Sequence, residues 1–279
     1  MSHVFSPELV ALGEVLIDFT QTGFSSNGQV LFERNAGGAP ANVAVQAARL
    51  GMSAQFVGKV GADIHGDFLR RSLQERGVDV SSVVQDPEAF TTLAFVEVDP
   101  RTAERSFSFA RKPGADTRLS PAEVPEQAIR DCRVLHVGSL SLTDEPARAA
   151  MLHAVSIARQ AGALISYDPN YRASLWPSES EAIEQMTTLL HQADLVKINE
   201  DEALLLCGTS NPEAAAQCIL DQGATLVAVT LGSQGALVAT QTERVLVPTR
   251  PCQARDTTGA GDSFWGALLF QLVHEQGMR

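Results

Sequence analysis

The sequence predicts an α/β fold in three layers, with a mostly parallel central sheet covered by helices on both faces and a small β unit outside it. Two patterns carry that reading. From Val134 onward, short apolar runs at Val134–Val137, Leu164–Tyr167, Leu195–Ile198 and Leu226–Leu231 alternate with helical stretches at about Glu145–Gln160, Ser178–Gln192 and Pro212–Asp221. A strand–helix repeat with short connections specifies a parallel sheet with both faces covered. Upstream, Thr91–Asp99 and Glu104–Ala110 alternate apolar and polar residues about a turn at Asp99-Pro100. Alternation marks a hairpin with one covered face, unlike the continuous apolar runs of a central sheet.

Composition sets the outer bounds. With 279 residues and 44% hydrophobic content, the chain can bury one large core, and residues 1–279 read as a single domain without linker, repeat or low-complexity tract. The net charge of −12 argues against nucleic acid as a partner, since a phosphate backbone demands a basic face. A single phosphate ligand is still allowed, because local dipoles and Mg²⁺ can overrule the global charge. Cys132, Cys207, Cys218 and Cys252 show no metal-binding spacing and read as reduced core thiols. The first residues lack a basic segment, Glu14 and Asp18 interrupt the first apolar run, and no run approaches membrane-spanning length. A cytoplasmic protein without membrane partners is expected.

In chain order, Val10–Phe19 reads as the first strand, with Asp18 at the end where ligands collect in parallel sheets. Gly37-Gly38-Ala39-Pro40-Ala41-Asn42-Val43-Ala44 follows, then an Ala-rich run ending at Gly51. Paired glycines, a Pro in the first turn and a closing Gly form a loop–helix–stop pattern. Asn42 is its informative residue, because a side-chain amide both donates to and accepts from a polyol. Ala54–Val60 is a strand and Asp63–Arg76 a helix closed by Gly77, with Asp63 explained by capping. At the end of the Leu164 strand, Asp168-Pro169-Asn170-Tyr171-Arg172 is more polar than a turn requires.

The densest signal is Asp256-Thr257-Thr258-Gly259-Ala260-Gly261-Asp262-Ser263-Phe264, which leads into a nearly unbroken apolar helix. A helix starting at a small-residue loop aims free N–H groups and a partial positive charge at its ligand, and phosphate is the usual guest. A carboxylate beside such a site either caps the helix or takes a proton from a hydroxyl that attacks phosphorus. The helix-start amides favour its ionised form.

The block from Asp256 to Phe264 and the one from Gly37 to Ala44 resemble the two signatures of the ribokinase/PfkB family of carbohydrate kinases, in the family's order. The resemblance runs from about Val10 to the last residue and is nearest the fructokinase-like branch. It implies a ribokinase-like three-layer sandwich whose small β lid is formed from about residues 20–36 and 88–112; the exposed face of that lid is expected to support a homodimer. It implies transfer of the γ-phosphate of ATP to a hydroxyl of a small-molecule sugar, fructose first, with Asp262 as general base and the amides of Gly259, Ala260 and Gly261 holding the transferring group. Substrate contacts are expected from Asp18, Gly38, Asn42, Arg111, Asp168, Asn170 and Arg172, and nucleotide contacts from Asn199, Thr230, Gly232 and Gly235. Glu202 of Asn199-Glu200-Asp201-Glu202 would organise Mg²⁺ through water, and Asp256 and Thr258 would bind a monovalent cation such as K⁺. The alternatives are 2-keto-3-deoxygluconate kinase, ribokinase or nucleoside kinase activity, or a sugar-binding homologue without catalysis. Family members usually continue through further helices that complete the adenine pocket, so a chain ending at Arg279 reads as truncated at its C-terminus.

Overall fold

The computed structural model describes residues 6–98, 105–250 and 257–275. The first part of the chain forms β1 (Leu9–Leu12), β2 (Leu16–Phe24), β3 (Val30–Gly37), α1 (Ala39–Leu50), β4 (Ala54–Gly61), α2 (Ile64–Glu75) and β5 (Asp79–Asp86). There follow β6 (Leu93–Val98), β7 (Arg105–Ala110), α3 (Glu126–Asp131), β8 (Val134–Gly138), α4 (Ala147–Ala161), β9 (Leu164–Asp168) and α5 (Glu179–Leu190). The last part is β10 (Leu195–Asn199), α6 (Glu200–Cys207), α7 (Pro212–Leu220), β11 (Leu226–Thr230), β12 (Ala236–Ala239), β13 (Arg244–Val247) and α8 (Ala260–His274).

Among the described residues the strands form two sheets. The larger runs β13-β12-β11-β10-β9-β8-β1-β4-β5, parallel except where β12 pairs antiparallel with both its neighbours. Its two faces carry separate cores. On one, Val10 and Leu12 of β1 pack with α3, α4, α5, α6 and α7. On the other, Leu9 and Ala11 pack with α1, α2 and α8. A strand whose successive side chains enter opposite cores has no polar face, so its sequence is a continuous apolar run.

The smaller sheet has the order β3-β2-β6-β7, with β2 and β6 parallel and the outer pairs antiparallel. The expected strand Val10–Phe19 is in fact two. The chain leaves the main sheet after Leu12, turns through Gly13–Val15 and re-enters extended structure in the smaller one. Gly13 still donates to Val57 of β4, whereas Ile17 donates to Thr92 before β6. The polar break at Gly13-Glu14 therefore marks a change of sheet. The structure also adds β5, whose residues are largely polar, and β13, a four-residue strand.

Candidate active site

The last residues of β9, β10 and β11 are Asp168, Asn199 and Thr230, and the starts of α1 and α8 face the same end of the sheet. Between them lies a cleft of about 1320 Å³, with Leu16, Asp18 and Phe109 of the smaller sheet forming part of its lining. The structure brings into this cleft Asp18, Gly38, Asn42, Asn170, Arg172, Asn199, Thr230, Gly232, Gly235, Thr258, Gly259, Ala260, Gly261 and Asp262. These residues come from distant parts of the sequence and meet because parallel strands end on one side.

Asp262 stands in the first turn of α8, buried to 7% exposure, and it is not the helix cap. Gly259 occupies the cap position and no side chain bonds there. The carboxylate accepts instead from Asn42 Nδ2 at 2.8 Å on one oxygen and from Asn170 Nδ2 at 3.3 Å on the other. Asn170 reaches it from a left-handed backbone conformation, φ 45°, which Asn tolerates better than most residues. Burial pushes the Asp262 pKa up to about 6, and the charge of Asp168 adds to the rise. Asn42, Lys197 and Arg172 oppose it. The expected bias toward the ionised form is thus outweighed by desolvation, although at neutral pH most of the carboxylate is still charged.

Two buried charged residues of the cleft were not among the site residues expected from the sequence. Lys197, on β10, donates from Nζ to Asp168 Oδ2 at 2.7 Å and lines the cleft beneath α8. A methyl group on Gly261 would stand 3.2 Å from Nζ, so the bare glycine lets the ammonium lie against the loop. Burial works against the lysine's charge, but Asp168, Glu202 and Asp262 outweigh it and raise its pKa. The second is Glu14, which accepts the Ala39 N–H at 3.0 Å and so supplies the cap that Gly38 cannot. Burial pushes its pKa up to about 7.

The cleft suits an anion at the start of α8. The amides of the Gly259–Gly261 loop open a 15-residue helix, which is an anion site by geometry and dipole. Opposite, Gly235 holds φ 112°, ψ −139° against the Val247 carbonyl, where a Cβ would collide. Only glycine fits there, and it lets backbone line the cleft. Ala236, Val247, Pro248 and Phe264 give that end an apolar wall.

Three expected site residues are placed elsewhere. Arg111 lies outside the cleft, its guanidinium bonded to Asp116 at 2.8 Å, Thr143 Oγ1 at 2.7 Å and the Leu140 carbonyl at 2.9 Å. The buried Asp116 consumes the charge that was to meet substrate. Asp168 lies beneath the cleft, 1% exposed, as the partner of Lys197. Glu202 is 2% exposed, and its oxygens accept from the Tyr171 and Asn199 amides, both at 2.9 Å. With Asn199 it forms a capping box, so the acidic residues of this segment that line the cleft are its neighbours Glu200 and Asp201. Asp256 lies outside the described residues. Among those described, no group of three or more His, Cys, Asp or Glu side chains could hold a metal ion.

Comparison with known proteins gives the chain its family. The profile of the pfkB family carbohydrate kinases matches residues 6–279. Fructokinase-1 of Oryza sativa subsp. japonica is 45% identical over 270 residues, spanning 96% of this chain and 83% of that protein. The crystal structure of a fructokinase from Xylella fastidiosa with bound ATP superposes with a TM-score of 0.87 at 35% identity, covering 96% of this chain and 81% of that one. A double mutant of the Vibrio cholerae O395 fructokinase, bound to fructose, ADP and potassium, gives 0.85 at 34% identity over 96% and 84%.

Proposed function

We infer the reaction from family membership: this chain belongs to the pfkB family of carbohydrate kinases, and it phosphorylates a sugar hydroxyl with ATP. Fructose is the acceptor we propose. Relatives 42–45% identical over most of the chain are named as fructokinases or probable fructokinases, and the polar cleft residues Asp18, Asn42, Asn170 and Arg172 offer donors and acceptors to a neutral ketose. The observation that carries the mechanism is that Asp262 points its carboxylate into the cleft, held by two asparagine amides, instead of capping α8.

In this reading Asp262 removes the proton of the attacking hydroxyl as its oxygen approaches phosphorus. Asn42 and Asn170 orient the carboxylate. The Gly259–Gly261 amides and the Lys197 ammonium stabilise the charge spread over the transferring phosphoryl group. Mg²⁺ would offset charge on the phosphates when bound, and Glu200 and Asp201 would hold it through water, since this ion needs few carboxylates. Asp256 and Thr258 would hold a monovalent cation such as K⁺, the ion bound in the related Vibrio cholerae O395 fructokinase.

A homodimer through the smaller sheet belongs to the same proposal. Its edge strand β3 exposes Val30, Leu31 and Phe32, with Phe24 beside them on β2. A cytoplasmic setting is part of the proposal; among the described residues no helix is long and apolar enough to cross a membrane. ADP release measured across a panel of fructose, 2-keto-3-deoxygluconate, ribose and adenosine tests the acceptor. Fructose is expected to give the highest kcat/KM, and inert fructose alongside rapid turnover of another acceptor would refute the assignment.

A further inference from the structure

The mechanism leaves one buried polar chain without a task. Trp265 on α8, Ser166 on β9 and His136 on β8 are all fully buried. Trp265 Nε1 donates to Ser166 Oγ at 2.8 Å, and that hydroxyl lies 2.9 Å from His136 Nδ1. Burial pushes the His136 pKa down to about 4, so the ring is neutral and serves only as a hydrogen-bonding partner. A hydrogen bond of this kind adds little net stability, because water serves the same groups in the unfolded chain. What it adds is direction.

Apart from the Asp262–Asn170 hydrogen bond at its first turn, direction is what α8 lacks on its sheet-facing side. Leu269, Leu272 and Val273 are buried there, and hydrophobic contact is non-directional. Sideways the helix is seated on α1, where a methyl on Gly266 would stand 2.7 Å from the Val43 carbonyl oxygen. Trp265 gives it a fixed point on the sheet. That point is well chosen: Trp265 follows Asp262 by about one helical turn, and Ser166 stands on the same strand as Asp168, the residue that holds Lys197 under Gly261. One strand thus fixes both the floor of the phosphoryl site and the height of the helix above it.

We infer that Ser166 and Trp265 are positioning residues for phosphoryl transfer: their hydrogen bond sets the height of the α8 N-terminus over β9, and with it the reach of Asp262 and the Gly259–Gly261 amides to the reacting groups. The inference rests on the reading of Asp262 as the base. Trp265→Phe removes the donor but keeps a ring, and Ser166→Ala removes the acceptor. Misplacement of about 1 Å at a reacting centre lowers rates by about 100-fold, so kcat should fall roughly 10–100-fold in each variant. Both KM values should stay within about 2-fold, because the lost contact acts in the transition state. The double variant should be no slower than the slower single, since both changes remove one bond.

Rates are taken well below each melting midpoint and normalised to the nucleotide-binding fraction, so an unfolded variant does not count as a slow one. A purely structural bond would lower the melting temperature and leave this normalised kcat in place. Normalised kcat within about 2-fold of wild type in both single variants, or losses that multiply in the double, overturns the inference. Asp262→Asn run alongside separates the two readings. An active Asp262→Asn enzyme overturns the base assignment and this inference with it, whereas an inactive one beside a fully active Trp265→Phe overturns the inference alone.

Discussion

Replacing Asp262 with Asn removes a base without removing a cap, because the carboxylate bonds Asn42 and Asn170 and leaves the α8 cap position to Gly259. The variant should lower kcat by roughly 10²–10⁴-fold, with sugar and ATP affinities nearly unchanged because the lost interaction belongs to the transition state. Steady-state kinetics with calorimetric binding checks this, and a near-wild-type kcat would remove Asp262 from the mechanism. Titration offers a second test. A base must be ionised, so kcat/KM should fall as pH drops through about 6, the value to which burial and Asp168 push Asp262. Asp168 is one of the groups that raise it, so Asp168→Asn should move the acid limb of the profile to lower pH. A wild-type limb near roughly 4, the ordinary aspartate value, would show that burial does not govern this group. Lys197 lay beyond what the sequence could reveal. A lone lysine in an apolar strand gives no hint of its partner, and Asp168 becomes that partner only once β10 pairs with β9 in a register set by Leu195↔Ser166 and Val196↔Tyr167.

At the level of elements, the apolar runs of β8 to β11 and the glycine-opened helices α1 and α8 were legible because local rules dictate them: continuous burial for the strands, loop–helix–stop punctuation for the helices. Glu202 shows where local rules mislead. An Asn-x-x-Glu spacing serves a metal-organising element and a capping box alike, and here both oxygens of Glu202 are taken by backbone amides. Arg111 fails for a related reason, since its partners Thr143 and Leu140 come from a segment well downstream of the second sheet. Glu14 was hidden because its partner amide opens a helix beyond two intervening strands. Gly235 gives this scale its own prediction. It joins β11 to β12 through a conformation that only glycine adopts comfortably, with the Val247 carbonyl of β13 in the place of a side chain. Gly235→Ala should cost roughly 1–3 kcal/mol of stability through strain alone, and more where the collision displaces β13. Since Gly235, Ala236 and Val247 all line the cleft, at the end proposed for the nucleotide, the KM for ATP should rise while the KM for sugar holds. Thermal denaturation with paired KM measurements decides it, and an unchanged ATP KM would place this turn outside the nucleotide site.

For the molecule as a whole, the proposed homodimer explains why a small sheet keeps apolar residues on its surface. Phe24 is 66% exposed, Val30 and Leu31 are 45% and Phe32 is 36%, and all four lie on the paired strands β2 and β3. Among the described residues the outermost of these, β3, is an edge strand of eight residues, and an edge strand pairs with another chain unless it is covered. A second copy supplies the same surface, so a two-fold contact is self-complementary. The sheet also reaches the site, since Leu16, Asp18 and Phe109 line the cleft, and association would therefore steady the residues expected to close over the sugar. Placing a charge in the middle of the patch with Leu31→Asp should weaken the dimer by roughly 2 kcal/mol or more, about 30-fold in its dissociation constant. Leu31 is partly exposed, so the monomer should still fold. Sedimentation equilibrium should find the wild type at twice the chain mass and the variant at the chain mass. Kinetics on the monomeric variant should show a raised KM for fructose and an unaltered KM for ATP. A wild type that stays monomeric across the micromolar range would remove the dimer, and a monomeric variant with wild-type fructose KM would cut the link between association and the sugar site.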